Sequence, residues 1–206
     1  ESILYYSHIY NFFSDLGLYT SWSEEPNSIS LILFSYALFF AALELLIFYW
    51  GFHYILKKDH KLINISRVGF CLALISAVGF IMVGLFPSDT MFHMHMFAVY
   101  LAFISFLLVM LIYAYAIFKS SYISNYLALS YFFLFCLVGY YVYILFFGPR
   151  LPTIPYSDSD FSTQIPSSSS LLFHVVSQKL VIYGIIFSTL WQLVELRKKK
   201  YVDLID

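Results

Sequence analysis

The sequence predicts an all-α membrane protein, a polytopic bundle with five transmembrane helices in its 206 residues. Three observations carry that prediction. Hydrophobic residues make up 61% of the chain and charged residues only 11%, about half the charge that a soluble domain needs to solvate its surface. The apolar residues gather into runs of roughly 20 or more, and at about 1.5 Å per residue such a run crosses a hydrocarbon core of about 30 Å. Each run is apolar around its whole circumference, which suits a helix surrounded by lipid and other helices.

Residues 1–29 form a mixed segment, aromatic at Tyr5, Tyr6, Tyr10, Phe12 and Phe13 and polar toward Ser23-Glu24-Glu25-Pro26-Asn27. Spans are expected at 30–56, 67–86, 92–118, 125–147 and 171–196, so that residues 1–206 read as a single transmembrane domain. Between the last two spans, residues 148–170 open with Gly148-Pro149-Arg150. They continue through Pro152, Pro155, Asp158, Asp160 and a Ser167–Ser170 tract. Gly, Pro and Ser at that density predict an exposed loop. Cys71 and Cys136 both fall inside apolar runs, where they are expected to pack as small residues and to form no disulfide framework. Residue 1 is Glu and no signal peptide is visible. The expectation is a chain that was processed or whose beginning lies outside this sequence.

The net charge of −1 points to no class of partner, but the placement of the charges is informative. Lys57, Lys58, Lys61 and Arg67 sit between spans one and two, Lys119 between three and four, and Arg197, Lys198, Lys199 and Lys200 after span five. With alternating helices these share one side, against Arg150 alone on the other. The positive-inside rule then predicts an integral protein of the cell membrane with the 57–67 loop and the C-terminus in the cytoplasm. Residues 1–29, the 87–91 turn and the 148–170 loop are expected outside. The Arg-Lys-Lys-Lys run reads as a stop-transfer signal that also meets anionic head groups.

Glu44 stands about 14 residues, roughly 20 Å, from either end of its span. A carboxylate at that depth is a functional-site candidate. The blander reading, preferred here, is a protonated Glu hydrogen-bonded to a Tyr or Ser of a neighbouring helix.

A second group gathers at the predicted outer boundary. In Pro87-Ser88-Asp89-Thr90-Met91-Phe92-His93-Met94-His95-Met96, Ser88 or Asp89 is placed to cap the third span, and Asp89 and His93 lie four apart, on one face. His93 and His95 are about 200° apart around a regular helix and cannot both address one centre. Their alternation with Met would suit a soft metal such as Cu(I). In the last span His174 and Gln178 share a face, and Lys179 lies roughly 12 Å from the outer helix end. It can snorkel outward or pair with an acid. Asp15, Asp89, His93, Arg150, His174, Gln178 and Lys179 would form a polar belt, read either as interfacial anchors and caps or as a ligand site. Haem would need one His from each of two facing helices, for which His93 or His95 with His174 is the conceivable pair. No catalytic residue can be named. Ser14-Asp15 lacks a Gly-rich nucleophile turn, and no phosphate loop, nucleotide fingerprint or zinc spacing occurs.

Three segments resemble a known family: Asn11-Phe12-Phe13-Ser14-Asp15-Leu16-Gly17, then Val83-Gly84-Leu85-Phe86-Pro87-Ser88-Asp89 with His93 beyond it, then Gln178-Lys179 with Trp191 later. In order and spacing they are similar to the prokaryotic six-helix membrane family known as domain of unknown function 998, itself distantly similar to the FRAG/DRAM/Sfk group. The resemblance covers most of the chain. It implies a six-helix bundle whose further helix precedes residue 1, with both termini cytoplasmic. The sequence departs from that pattern at Lys179, where the family usually has Arg, and at Glu44, which is outside it. No activity follows from the resemblance.

Function is read on that basis as non-enzymatic: an accessory subunit of a larger membrane complex, or a lipid-contacting factor, with 22% aromatic content supplying contact area. The alternatives are a haem- or metal-binding redox subunit using His93 or His95 with His174, and a lipid-modifying enzyme using Asp89, His93 and His174 as acid/base groups. Expected partners are membrane lipid and other membrane-protein subunits, with no nucleic acid among them. No cofactor is required by the sequence.

Overall fold

Inside hydrocarbon a backbone amide has no solvent to bond, so each apolar run closes into an uninterrupted helix. The structure, a computed structural model, describes residues 6–21, 23–121, 123–149 and 168–197. A 3₁₀ turn at Phe13–Gly17 is followed by five helices: α1 Ser28–Leu56, α2 Ile63–Leu85, α3 Phe92–Lys119, α4 Asn125–Phe147 and α5 Ser168–Leu196. All five are long and apolar enough to cross a membrane. Among the described residues the one extended pairing is an isolated bridge between Thr20 and Pro26.

Each helix packs on the next in chain order, and the 3₁₀ turn leans on α1. Small residues decide how closely. At the α2–α3 crossing Ser76 Oγ donates to the Ala102 carbonyl at 3.0 Å, Ala98 and Ala102 are fully buried, and a Cβ placed on Gly79 would stand 2.5 Å from the Ala102 nitrogen. The two backbones touch there, as small residues permit in membranes. Where α1 meets α2, Ser35 Oγ donates to the Gly84 carbonyl at 2.6 Å.

An aromatic core joins the first four helices away from the 3₁₀ turn. Tyr49 and Phe52 of α1 meet Tyr113 of α3 and Tyr131 of α4, with ring centroids 4.8 Å apart for Tyr49–Tyr113 and 5.6 Å for Phe52–Tyr131. The Tyr113 hydroxyl faces the Tyr49 and Ser66 carbonyls at 3.5 and 3.4 Å. Tilted and edge-on rings are the favoured aromatic geometry.

Two expectations are corrected. Ser168–Ser170 belong to α5 and not to the 148–170 loop, because hydroxyl residues suit a first turn whose amides lack partners. The rest of that loop, Arg150 included, and Lys198–Lys200 lie outside the described residues. Cys71 and Cys136 are exposed rather than packed. Gly69, Ala73, Ser76 and Gly79 hold the buried face of α2, and Cys71 falls about 200° from Gly69 around that helix.

Candidate functional site

The polar residues at the 3₁₀ end form a clamp between the N-terminal segment and α5. The segment first folds on itself. Asn11 N donates to the Ser7 carbonyl at 2.9 Å, and Asn11 Oδ1 accepts from Ser7 N at 2.8 Å. Asp15 Oδ2 accepts from Phe12 N at 2.9 Å and from Asn11 Nδ2 at 3.3 Å. That turn aims two carbonyls at α5, and Lys179 Nζ donates to both, to His8 and, at 2.7 Å, to Asn11. Gln178 Oε1 accepts from Phe13 N at 2.8 Å. The Tyr183 hydroxyl and His8 Nε2 lie 2.9 Å apart, and the Lys179 ammonium stands 5.7 Å over the Phe13 ring.

On its other flank the segment is pinned to α1 and to the start of α3. Asn27 Nδ2 donates to the Leu16 and Leu18 carbonyls at 3.3 and 3.0 Å, and Ser30 Oγ to Leu16 at 2.8 Å. Asp89 Oδ2 accepts from Thr20 N at 2.9 Å, while its Oδ1 is buried without a hydrogen-bond partner.

Burial sets the electrostatics of the clamp. It pushes the Asp15 carboxyl up to about 6 from an ordinary value of 3.8, although the Phe12 amide, the Asn11 side chain and the Lys179 charge all pull it down. Desolvation penalises the ionised form more than these partners favour it. The Tyr6 phenol is raised too, first by burial and then by the charge of Asp15.

The structure therefore brings Asp15, Gln178 and Lys179 together, and places the other candidates elsewhere. Asp89 serves Thr20 and caps nothing: α3 starts after Met91, with no side-chain cap. His93 is exposed and makes no bond to Asp89; the carboxylate is held by the amide of a segment whose approach the sequence does not announce. His95 is buried, and its Nδ1 lies 2.7 Å from the Phe86 carbonyl. His174 is buried, with Nε2 2.6 Å from the Pro149 carbonyl. These carbonyls can only accept, so each ring donates to close a helix end. His93 and His95 ride on α3 and His174 on α5, each helix packing on α4. Among the described residues no group of three or more His, Cys, Asp or Glu could hold a metal ion.

Glu44 overturns the preferred expectation. It is exposed on the flank of α1 and has no hydrogen-bond partner among the described residues. The polar contacts of α1 with α2 and α3 lie on its other side, where Ser35 donates to the Gly84 carbonyl and the Tyr49 carbonyl faces the Tyr113 hydroxyl.

Sequence reasoning missed His8, Asn11 and Tyr183. Asn11 stands four residues before Asp15 and signals a local turn, but nothing in the sequence pairs residues 8–13 with 178–183. It also missed Ser188 and Gln192, buried toward the far end of α5, where Gln192 Nε2 donates to Ser188 Oγ at 3.0 Å and Ser188 Oγ to the Ser130 carbonyl at 3.3 Å. Their four-residue spacing is a readable signal.

Chemically the clamp is turned inward: ammonium, amide and carboxylate bond the backbone of the protein's own N-terminal segment. It holds two helices and a segment in place, and among the described residues no group of three or more His, Cys, Asp or Glu joins it.

Five apolar helices, with no strand among the described residues, define a polytopic membrane-helical protein. The chain belongs to the family described as Protein of unknown function (DUF998), whose profile matches residues 4–155. That match takes in the 3₁₀ turn and α1–α4, and the Gln178-Lys179 pair lies beyond it. No curated protein and no solved structure matches the chain.

Proposed function

We propose that this protein is a non-enzymatic membrane subunit that assembles with other membrane proteins through α1, with the connection between α1 and α2 on the cytoplasmic side. One observation carries the reading: only 6% of the most apolar 18-residue stretch of α1 is buried in the bundle, and that stretch of exposed helix contains a carboxylate, Glu44, without a partner among the described residues. An isolated span facing lipid gains nothing from an ionisable side chain at mid-depth and bears its desolvation cost.

The clamp fits this role. It fixes the start of α1 relative to α5 through the 3₁₀ turn, so the exposed flank of α1 is presented in one orientation. Dispersal of Asp89, His93 and His174 among Thr20, the surface and Pro149 gives the lipid-modifying reading no constellation to work with. The redox reading likewise lacks a facing histidine pair.

Extraction of the native membrane into lipid nanodiscs, followed by native mass spectrometry, tests the proposal. The expected particle contains this chain together with at least one different polypeptide. A population made up of lone chains would overturn it.

A further inference from the structure

At the end of the bundle away from the 3₁₀ turn, the seam between α1 and α2 sets aromatic rings beneath two cations. His53 of α1 is anchored across the seam, its Nδ1 2.8 Å from Ser66 Oγ of α2. Phe70 lies nearly parallel to the His53 ring with centroids 6.3 Å apart, and Trp50 meets Phe70 edge-on at 5.4 Å. Trp50 is 60% exposed, so the group faces outward. Lys57 follows His53 by one turn, its ammonium 3.8 Å over the Tyr54 ring, and Arg67 directly follows Ser66. Both cations stand near enough to the His53 ring for their charges to bear on it. Both are exposed, and neither forms an ion pair among the described residues.

Depth decides what such a site meets. From Ser28 to Leu56 helix α1 is about 42 Å long, so a centred hydrocarbon core of about 30 Å leaves roughly 6 Å of it over at each end. His53 then stands at the boundary, Lys57 in the phosphate layer, and Trp50 just inside the hydrocarbon. Aromatic rings and cations favour those depths. The order, apolar below and positive above, complements a phospholipid, whose chains hang beneath a phosphate. A free anion in solution would use the cations and leave Trp50 and Phe70 idle.

Charge selects the head. Residues 57–67 carry four cations, Lys57, Lys58, Lys61 and Arg67, against the single carboxylate of Asp59, whose Oδ1 accepts from the Lys61 amide at 3.0 Å. A zwitterionic head brings its own ammonium into that field, whereas an anionic head brings its phosphate alone.

We propose that the α1–α2 seam binds an anionic phospholipid, with Arg67 and Lys57 on its phosphate and Trp50 and Phe70 against the upper part of its chains. The site stands apart from the subunit reading and holds whether or not α1 meets another protein.

Native mass spectrometry of the purified chain in mild detergent, titrated with phosphatidylglycerol or with phosphatidylcholine of the same chains, tests it. Each cation at the surface favours the anionic head about fivefold, so phosphatidylglycerol should bind about thirtyfold more tightly. R67Q and K57Q should each remove about fivefold of that preference, the double variant most of it, and R67K should keep it. W50A should weaken both lipids and leave their ratio unchanged. Lys119, at the C-terminus of α3, is a cation at the same end without the aromatic seam, and K119Q should leave the preference intact. Equal binding of the two lipids by the native chain would overturn the proposal. So would a loss from K119Q as large as that from R67Q, because the preference would then come from the summed charge of that end. Lys57, Arg67 and Lys119 are exposed, so their variants should keep the unfolding midpoint, and a ratio of two lipids on one variant cancels any loss of folded protein.

Discussion

Helices α1 and α3 are near equals in length and hydropathy, 29 and 28 residues long, yet half of the most apolar stretch of α3 is buried and only 6% of that of α1. Hydropathy therefore measures suitability for hydrocarbon and says nothing about whether that hydrocarbon is lipid or protein. What separates the two is the disposition of small residues. On α3, Ala98, Ala102 and Ala116 are fully buried against neighbours; on α1, Ala37, Ala41 and Gly51 face away from them. The central helix is held along its length. The first is held along one flank only, by the clamp near its start, by Ser35 on Gly84 and by the buried Ala42, Tyr49, Phe52 and Leu56.

The sharpest way to break that contrast is to remove one tyrosine from each. Tyr113 of α3 is fully buried among Tyr49, Phe52 and Tyr131. Tyr113→Ala should cost about 3–5 kcal/mol, the range for a large aromatic deleted from a packed core. Tyr36 of α1 is 59% exposed, and Tyr36→Ala should leave stability within about 0.5 kcal/mol. Denaturant titration in mild detergent compares the two, and equal losses would mean that α1 is packed as α3 is.

A second prediction separates the clamped start of α1 from the middle of α3 by pH. The Asp15 carboxyl is raised to about 6 from 3.8 in the docked segment, so docking binds the proton more tightly than the released segment does. Its favourable contribution is complete below pH 3.8 and is lost as pH rises through 6. At about 1.36 kcal/mol per pKa unit the swing is bounded near 3 kcal/mol. Hydrogen exchange at the 3₁₀ turn and the first turn of α1 should slow on acidification from pH 7 to 4.5, after correction for the intrinsic rate, and the change should vanish in D15N. Amides at the middle of α3 should not respond. Faster corrected exchange at the turn in acid would reverse the assigned sign.

The fold was legible because a bilayer admits few structures: run length and composition suffice to name five helices. Part of the clamp was legible too, since Asp15, Gln178 and Lys179 stood out as polar residues at one boundary. Their partners were not, because Lys179 and Gln178 bond the backbone of residues 8–13, and a carbonyl or amide has no sequence signature. Asp89 failed for a related reason. Its spacing suited a cap and a His93 pair, but a tertiary amide, Thr20 N, outcompeted both. Glu44 was visible from its depth alone, whereas its direction depended on which flank of α1 the neighbours took.

The finest test of the comparison exchanges a single hydrogen for a methyl group. At Gly79 the added Cβ would stand 2.5 and 2.7 Å from the Ala102 nitrogen and Cα. Backbone cannot step aside as a side chain tip can, so Gly79→Ala should destabilise by about 1–3 kcal/mol, the usual cost of overpacking. At Gly51 the same methyl meets nothing, and only the backbone entropy of glycine is removed, so Gly51→Ala should stabilise the isolated chain by about 0.5–1 kcal/mol. The two substitutions thus carry opposite signs in detergent. If Gly51 lies where another helix approaches, the gain seen for the isolated chain turns into a loss when the assembled form is measured in nanodiscs, because the methyl then holds two backbones apart. A gain of equal size in both settings would leave that flank of α1 facing lipid alone.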